Sequence, residues 1–196
     1  MILTAEDLGR SLRGTADLLN RRREGVAAFD MSEAGFWRSF GAIWLTLPAF
    51  VVTLALEERR LGAEAGGSLF AHPGAALLVG LAQVASFVAL PLIMIALCRR
   101  LGLGRAYVPF VVVTNWLSAF AALVLALPGL LVLIEWATPD LAAVFLLAFG
   151  AVVVHLQWFA AKATLGVPGL VAAGVVGLDL AIQTGLGLGA SALIGV

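Results

Sequence analysis

The sequence has little charge and almost no cysteine. Only 12% of its 196 residues are charged, and twelve basic and twelve acidic residues cancel to a net charge of zero. Without a net basic face we expect no nucleic-acid partner. Cys98 is the only cysteine, which excludes an intrachain disulfide and a cysteine metal cluster. We therefore expect neither a metal nor a cofactor.

Apolar residues dominate what is present. They make up 62% of the chain, against about 45–50% in soluble domains. Disordered chains are poor in apolar residues, and a soluble core of this size could not hide so many. The N-terminus has acids at Glu6 and Asp7 and no basic n-region, so we expect no cleaved signal peptide. The composition predicts an integral membrane protein.

Five apolar runs reach the length of about 20 residues that crosses about 30 Å of hydrocarbon. They cover residues 36–56, 74–97, 108–134, 141–161 and 169–193. Each is apolar all round, whereas strands of a membrane barrel alternate apolar with polar residues. The predicted fold is an all-α, polytopic membrane helix bundle with five transmembrane helices.

Two of these runs carry alternatives. The third holds 27 residues, about 40 Å of helix, so it tilts or breaks, with Pro128–Gly129 as the break point. The fifth ends in Gly185–Gly189, a poor helix by intrinsic propensity, so a re-entrant or frayed end competes with a full span.

The basic residues predict the orientation. With residues 1–35 as a cytoplasmic segment and residues 36–196 as the transmembrane domain, ten basic residues lie inside and two, Arg59 and Arg60, lie outside. Eleven arginines against one lysine are typical of a GC-rich bacterial gene. We therefore expect a multi-pass protein of the bacterial inner membrane.

The N-terminal segment predicts an amphipathic helix. Thr4 and Asp7 form a helix-start signal, and Leu8, Leu12 and Leu19 share one face. We expect this helix on the inner membrane surface, with packing on the inner ends of the spans as the alternative.

The basic residues of that segment predict its partner. Arg21, Arg22 and Arg23 would lie against anionic lipid, so membrane lipids are the expected partner. Further along, either Asp30 or Ser32 could cap the first span.

Polar side chains inside a membrane are costly, so each is a functional candidate. The predicted spans hold six of them, Gln83, Asn115, His155, Gln157, Asp179 and Gln183. Asn115 and His155 would lie about 10 Å deep and Asp179 about 15 Å deep. We expect these three to form one intramembrane polar cluster.

Asp179 is the only acid inside a predicted span. A carboxyl that changes protonation in the membrane suits proton-coupled transport, whereas a permanently protonated one would only hydrogen-bond a neighbouring helix. His155 has the same two interpretations, a ligand or relay against a satisfied buried histidine.

Small residues recur every four positions along the fifth span. They are Gly169, Ala173, Gly177, Ala181, Gly185 and Gly189. Such a stripe lets a helix approach closely, either within the bundle or in a homo-oligomer, and another membrane protein is a further candidate partner.

Two segments carry a resemblance. Phe29-Asp-Met-Ser-Glu-Ala-Gly-Phe-Trp-Arg-Ser-Phe40 enters the first span, and Gly104-Arg-Ala-Tyr-Val-Pro-Phe110 leads to Asn115-Trp116. With the five-span plan, they resemble bacterial Yip1-like membrane proteins, including hypothetical membrane proteins of alphaproteobacteria. The resemblance implies the fold and no catalytic residues.

Enzyme motifs are missing from the sequence, which has neither a His-Glu-x-x-His zinc site nor a Gly-x-Ser-x-Gly elbow. The leading prediction is a non-enzymatic, membrane-organising or accessory subunit. The alternative is a small proton-coupled transporter or permease component that uses Asp179, His155 and Asn115.

Overall fold

The computed structural model describes residues 3–65 and 73–194, and within these ranges it is all-α, with no strand. Seven α-helices follow one another: α1 Ala5–Leu19, α2 Glu33–Phe40, α3 Leu47–Ala65, α4 Pro73–Arg100, α5 Gly104–Leu133, α6 Pro139–Leu165 and α7 Gly169–Ile194. The described ranges also contain two 3-10 helices, at Arg23–Ala28 and Gly41–Thr46.

Five segments are long and apolar enough to cross a membrane. They are Glu33–Arg60, Leu77–Arg100, Gly104–Leu133, Pro139–Leu165 and Gly169–Ala192. Each contains most of one predicted run, so the prediction of an all-α fold with five helices able to span a membrane is confirmed. The fold is that of a multi-pass α-helical membrane protein.

Helices α4 to α7 form a ring in which α4 contacts α5, α5 contacts α6, α6 contacts α7, and α7 returns to α4. The links between α4 and α5, α5 and α6, and α6 and α7 are short, so these neighbours run antiparallel. Helix α3 lies outside the ring against α5. Helix α5 holds the largest group of buried side chains, including Val111, Val112 and Val113 at 0% exposure.

The first span is not one regular helix. Its middle, Gly41–Thr46, is a 3-10 helix between α2 and α3, and Pro48 follows at the start of α3. Proline lacks an amide hydrogen and its ring crowds the carbonyl four residues earlier, so regular α geometry fails just before it.

The third and fifth spans are each continuous. Helix α5 passes through Pro128 and Gly129 to Leu133, so the predicted break does not occur. Helix α7 runs from Gly169 to Ile194 despite its glycines, so the re-entrant alternative is wrong for the described residues. In both cases neighbouring helices and the apolar surroundings outweigh local propensity.

The two ends of the bundle differ in charge. One end, called the basic end, carries Arg38, Arg99, Arg100, Arg105 and Lys162. The opposite end, called the acidic end, carries Glu57, Glu58, Glu135 and Asp140 beside Arg59 and Arg60. The N-terminal segment packs at the basic end, where Leu18 and Phe29 join the core of α5 and α6.

Helix α1 begins as predicted. The Asp7 amide donates to Thr4 Oγ1 at 3.1 Å, and the Thr4 amide donates to Asp7 Oδ2 at 3.3 Å, which completes a capping box. For α2 the cap is Ser32 rather than Asp30, since Ser32 Oγ accepts the Gly35 amide at 3.0 Å.

Helix α1 has three faces rather than two. The docked face is buried and holds Asp7, Ser11, Gly14 and Leu18, spaced four, three and four residues apart. On one side of it lies the charged face. On the other side lies the apolar face, where Leu12 is 49% and Leu19 is 46% exposed. Helix α1 therefore packs on the ends of the spans through its docked face, which was the alternative to a position on the membrane surface. Its apolar face stays outside the bundle.

Candidate functional site

A polar cavity lies inside the ring of α4 to α7. Its volume is about 330 Å³. All four helices contribute to its wall, and the 3-10 helix before α3 adds Thr46. Nine lining side chains are polar: Thr46, Gln83, Ser86, Thr114, Asn115, Ser118, Gln157, Asp179 and Gln183. Because buried polar groups in a membrane need partners, this wall suits a polar occupant.

Asp179 supplies the only carboxyl among the described residues that line this cavity. The residue is 6% exposed and belongs to the inward face of α7, with Ala172, Val175 and Val176. The Gln183 side chain, one turn further along, lines the same cavity. An amide and a carboxyl thus point together into the cavity.

Asn115 is held in place from the other side of the ring. The residue is 2% exposed, and its Nδ2 donates to Ser39 Oγ of α2 at 3.0 Å. Ser39 Oγ in turn donates to the Phe36 carbonyl at 2.7 Å. Two of the three residues of the predicted polar cluster, Asn115 and Asp179, therefore meet in one cavity.

His155 does not join them. Its Nε2 accepts a hydrogen bond from Arg21 Nε at 3.3 Å, and its ring lies 5.6 Å from the Trp158 ring. Val153 and Gln157, two residues before and after it, line the cavity. Successive helical residues turn by about 100°, so a residue midway between two inward ones points outward. The prediction of one cluster of three is wrong for His155.

The cavity continues toward the acidic end. A second cavity of about 300 Å³ lies between α3, α4 and α7 and is lined by Thr53, Glu57 and Ser191. The two cavities share Gln83, Ser86 and Gln183 as wall residues. Polar side chains thus follow one another from Glu57 to Asp179 along the walls of two adjoining cavities, and we call this series of side chains the polar path.

Toward the basic end the path closes. Beyond Asp179 the space narrows to about 10 Å³, against about 330 Å³ for the large cavity. Its wall is mainly apolar, with Phe110, Leu117 and Val176 among its residues. Asp179 and Gln157 line both this small space and the large cavity, so they mark the boundary between the polar path and the apolar plug.

The stripe of small residues on α7 faces away from this cavity. Ala173, Gly177, Ala181, Gly185 and Gly189 are exposed, and a Cβ added at any of the three glycines would meet nothing within 4 Å. Gly169 alone of the stripe approaches a neighbour, with Trp158 at 3.1 Å from such a Cβ. Within the described bundle, packing is not the role of the stripe, and contact with a second copy stays a prediction.

A second polar feature joins α1 to the first span. Asp7, Arg10, Asp30 and Arg38 form an ion-pair group, called the N-terminal charge cluster. Arg10 Nη2 lies 2.8 Å from Asp7 Oδ1, Arg38 Nη2 lies 3.6 Å from the same oxygen, and Arg38 also pairs with Asp30. The Asp7 side chain is 6% exposed, so its charge is balanced inside the protein.

The hydrogen bonds of this cluster set the acidity of its carboxyls. Burial alone raises the pKa of Asp7, but hydrogen bonds from Thr4 and Arg10 and the charge of Arg38 outweigh it, and the pKa lies below its ordinary value. Hydrogen bonds from Ser32, assisted by Arg38, lower the pKa of Asp30. Both groups are ionised at neutral pH.

Sequence reasoning missed parts of both features. Ser86, Thr114 and Ser118 line the cavity. The sequence did not mark them, because a Ser or Thr in an apolar helix commonly hydrogen-bonds a backbone carbonyl of its own helix and needs no cavity. The sequence places Asp30 in the N-terminal segment and Arg38 in the transmembrane domain, and only the fold brings both residues beside Asp7. Their spacing of eight residues gave no signal for an ion pair.

The fold and the cavity together define the class of this protein. It is a multi-pass membrane protein whose helix bundle contains a cavity with polar side chains and one carboxyl. In the part of the chain that the structure describes, no group of three His, Cys, Asp or Glu residues could hold a metal ion. The chain matches no protein-family model, and neither a curated protein nor a solved structure matches it. The resemblance to Yip1-like proteins stays a prediction.

Proposed function

We propose that this chain is a small, non-enzymatic membrane transport component that accepts a proton or another small cation at Asp179. The observation that supports this most directly is a carboxyl, 6% exposed, inside a polar cavity of about 330 Å³. Carboxyls at this depth are costly and are used for proton and cation relay. A purely membrane-organising or accessory subunit needs no such cavity.

The route to that carboxyl is part of the proposal. The second cavity leads from Glu57 at the acidic end to Gln83, Ser86 and Gln183. Amide and hydroxyl oxygens along this route can accept hydrogen bonds from a hydrated cation. With the predicted orientation, in the bacterial inner membrane and N-terminus inside, a cation enters from outside and binds at Asp179, and transport requires the apolar plug to rearrange so that the cation leaves toward the basic end.

Asp179→Asn tests the carboxyl. We expect the purified full chain in phospholipid vesicles to carry protons down an imposed pH gradient, and the variant to fall to the rate of protein-free vesicles. Asparagine keeps the size and hydrogen bonding of the side chain but cannot ionise. The measurement is fluorescence of a pH-sensitive dye trapped inside the vesicles.

Asp140→Asn is the matched control, because it makes the same chemical change at an exposed position in the first turn of α6. This variant should keep the wild-type flux. Two results would contradict the proposal: wild-type vesicles no faster than empty ones, or an Asp179→Asn variant with unchanged flux and only lower thermal stability. The second result would favour a structural carboxyl and an accessory role.

Thiol labelling tests the route itself. In a Cys98→Ala background, Ser86→Cys should react with a membrane-impermeant thiol reagent added at the acidic end, because Ser86 lines both cavities. Val176→Cys, within the apolar plug, should react from neither side. Mass spectrometry gives the labelled fraction. Equal labelling of both cysteines, or labelling of Ser86→Cys from the basic end only, would overturn the proposed direction of access.

A further inference from the structure

Several basic residues near the basic end form no ion pair with a carboxylate of the described residues, and Arg21 and Lys162 are the two that approach one another along α6. Arg21 follows α1, and Lys162 lies near the end of α6. No carboxylate of the described residues forms an ion pair with either one. The neighbouring Arg22 differs, because Asp17 pairs with it at 3.5 Å. Two unpaired positive groups in one region favour an external anion.

The side chains between these cations form a continuous row. Arg21 Nε donates to His155 Nε2 at 3.3 Å, the His155 and Trp158 rings lie 5.6 Å apart, and Lys162 Nζ lies 5.3 Å from the Trp158 ring centre. Trp158 Nε1 donates to the Gly169 carbonyl at 2.8 Å, which fixes the indole. We call Arg21, His155, Trp158 and Lys162 the cation–tryptophan row.

The backbone at Arg21 forms a defined turn after α1. Its φ is 58°, in the left-handed region that arginine seldom adopts. The Arg21 amide donates to the Leu18 carbonyl at 2.9 Å, so the turn closes against the end of α1. This turn directs the chain so that Arg21 reaches α6.

The row follows the last part of α6, from His155 within the apolar span to Lys162 near its basic end. Helix α6 has 27 residues, so its length of about 40 Å exceeds the hydrocarbon core by about 10 Å. At the basic end of α6, α1 packs beside it. The apolar face of α1 leaves Leu12 and Leu19 about half exposed. Amphipathic helices with such a face lie at the membrane interface.

We propose that the cation–tryptophan row binds the phosphate of one anionic phospholipid, with Arg21 and Lys162 as its two cationic contacts. His155 acts as a positioning residue, because its Nε2 holds the Arg21 guanidinium. Trp158 offers an amphipathic ring at the headgroup level. The acyl chains lie along the exposed apolar face of α1. This site is separate from the cavity and does not depend on transport.

The test compares lipid retention by the full chain in neutral detergent micelles. Phosphatidylglycerol or phosphatidylcholine is added, and native mass spectrometry counts the lipid that stays bound. The wild type should retain phosphatidylglycerol in preference. The double variant Arg21→Gln, Lys162→Gln should reduce that preference about thirtyfold, from about fivefold for each basic residue near a lipid surface.

Arg99→Gln, Arg100→Gln is the matched control, since it removes two exposed cations from the same end but away from the row. It should reduce the preference clearly less than the double variant does, because Arg99 and Arg100 lie outside the row and attract the lipid only through screened, longer-range charge. Lys162→Gln alone, expected to lose about fivefold, keeps the test valid if the double variant misfolds. The proposal fails if the wild type has no preference, if the control loses as much as the double variant, or if excess inorganic phosphate displaces the lipid signal fully.

Discussion

Replacing Asp7 with alanine is expected to weaken the docking of α1 on the bundle by about 2–3 kcal/mol. Asp7 Oδ1 is shared between Arg10 and Arg38, and the Asp7 side chain is 6% exposed. Its removal leaves Arg10 with only the longer contacts to Glu6 at 3.9 Å and Asp30 at 4.0 Å, and it leaves Arg38 paired with Asp30. Removing one partner of a fully buried ion pair costs about 3–5 kcal/mol. Here the arginine side chains are 33% and 29% exposed, so water recovers part of that cost.

Hydrogen exchange of the α1 amides measures this effect, because it reports the free energy of local opening without unfolding the membrane spans. Asp17→Ala is the matched control. Asp17 lies in the same helix and pairs with Arg22, but the two side chains are 41% and 69% exposed. Such a surface pair contributes at most about 1 kcal/mol. Equal effects of the two variants would mean that the cluster does not hold α1.

The pH dependence of the same measurement gives an independent check. The native pKa values of Asp7 and Asp30 lie below the ordinary value. Their stabilising contribution is therefore complete above about pH 4 and is lost as the pH falls through the lowered native values. We expect α1 of the wild type to open in acid. The Asp7→Asn variant, which lacks one of these charges, should respond less.

The sequence predicted the spans well because span length and apolar content follow directly from the thickness of the membrane. The capping box of Thr4 and Asp7 was equally predictable, since it depends on a local spacing of three residues. Rotation about a helix axis was not predictable in the same way. Depth along a span can be counted from its ends, but in an all-apolar helix nothing in the pattern marks the inward face.

His155 and Asp179 illustrate that limit. Their positions along the spans predict similar depths in the membrane, about 10 Å for His155 and about 15 Å for Asp179. The depth says nothing about the direction in which each side chain points. Asp179 shares the face of Ala172 and Val176, small and branched residues that pack inward on α7. His155 faces the N-terminal segment and meets Arg21, a contact across 134 positions of sequence. No local spacing encodes such a contact.

Helix α1 shows why the apolar face misleads in a membrane protein. In a soluble protein the apolar face of a helix packs on the core. Here lipid can cover an apolar face as well as protein can, and the protein contact instead uses Gly14, Leu18 and the ionised Asp7. The apolar periodicity of α1 therefore identified its apolar face correctly, but the face that contacts the bundle is a different one.

Gly14→Ala is the second substitution with a large expected effect, because the docked face of α1 makes backbone contact there. A Cβ at Gly14 would lie 2.4 Å from Phe29 Cε2 and 2.8 Å from the Gly25 carbonyl oxygen. The approach is reciprocal, since a Cβ at Gly25 would lie 2.7 Å from the Gly14 carbonyl oxygen. Two backbones cannot yield as a flexible side chain can, so we expect docking to weaken by about 1–3 kcal/mol.

Gly9→Ala separates this contact from helix propensity. Gly9 lies in the same helix, and a Cβ there would meet nothing within 4 Å. Both substitutions raise helix propensity by about 1 kcal/mol. In Gly9→Ala the gain in helix propensity acts alone, so hydrogen exchange should slow. In Gly14→Ala the loss of docking should outweigh that gain, so hydrogen exchange should quicken. Slower exchange in both variants would mean that α1 does not rest on the 3-10 helix at Gly25. Opposite shifts from the same added methyl group would instead locate the docking contact at the two facing glycines, which no hydrophobic pattern marks.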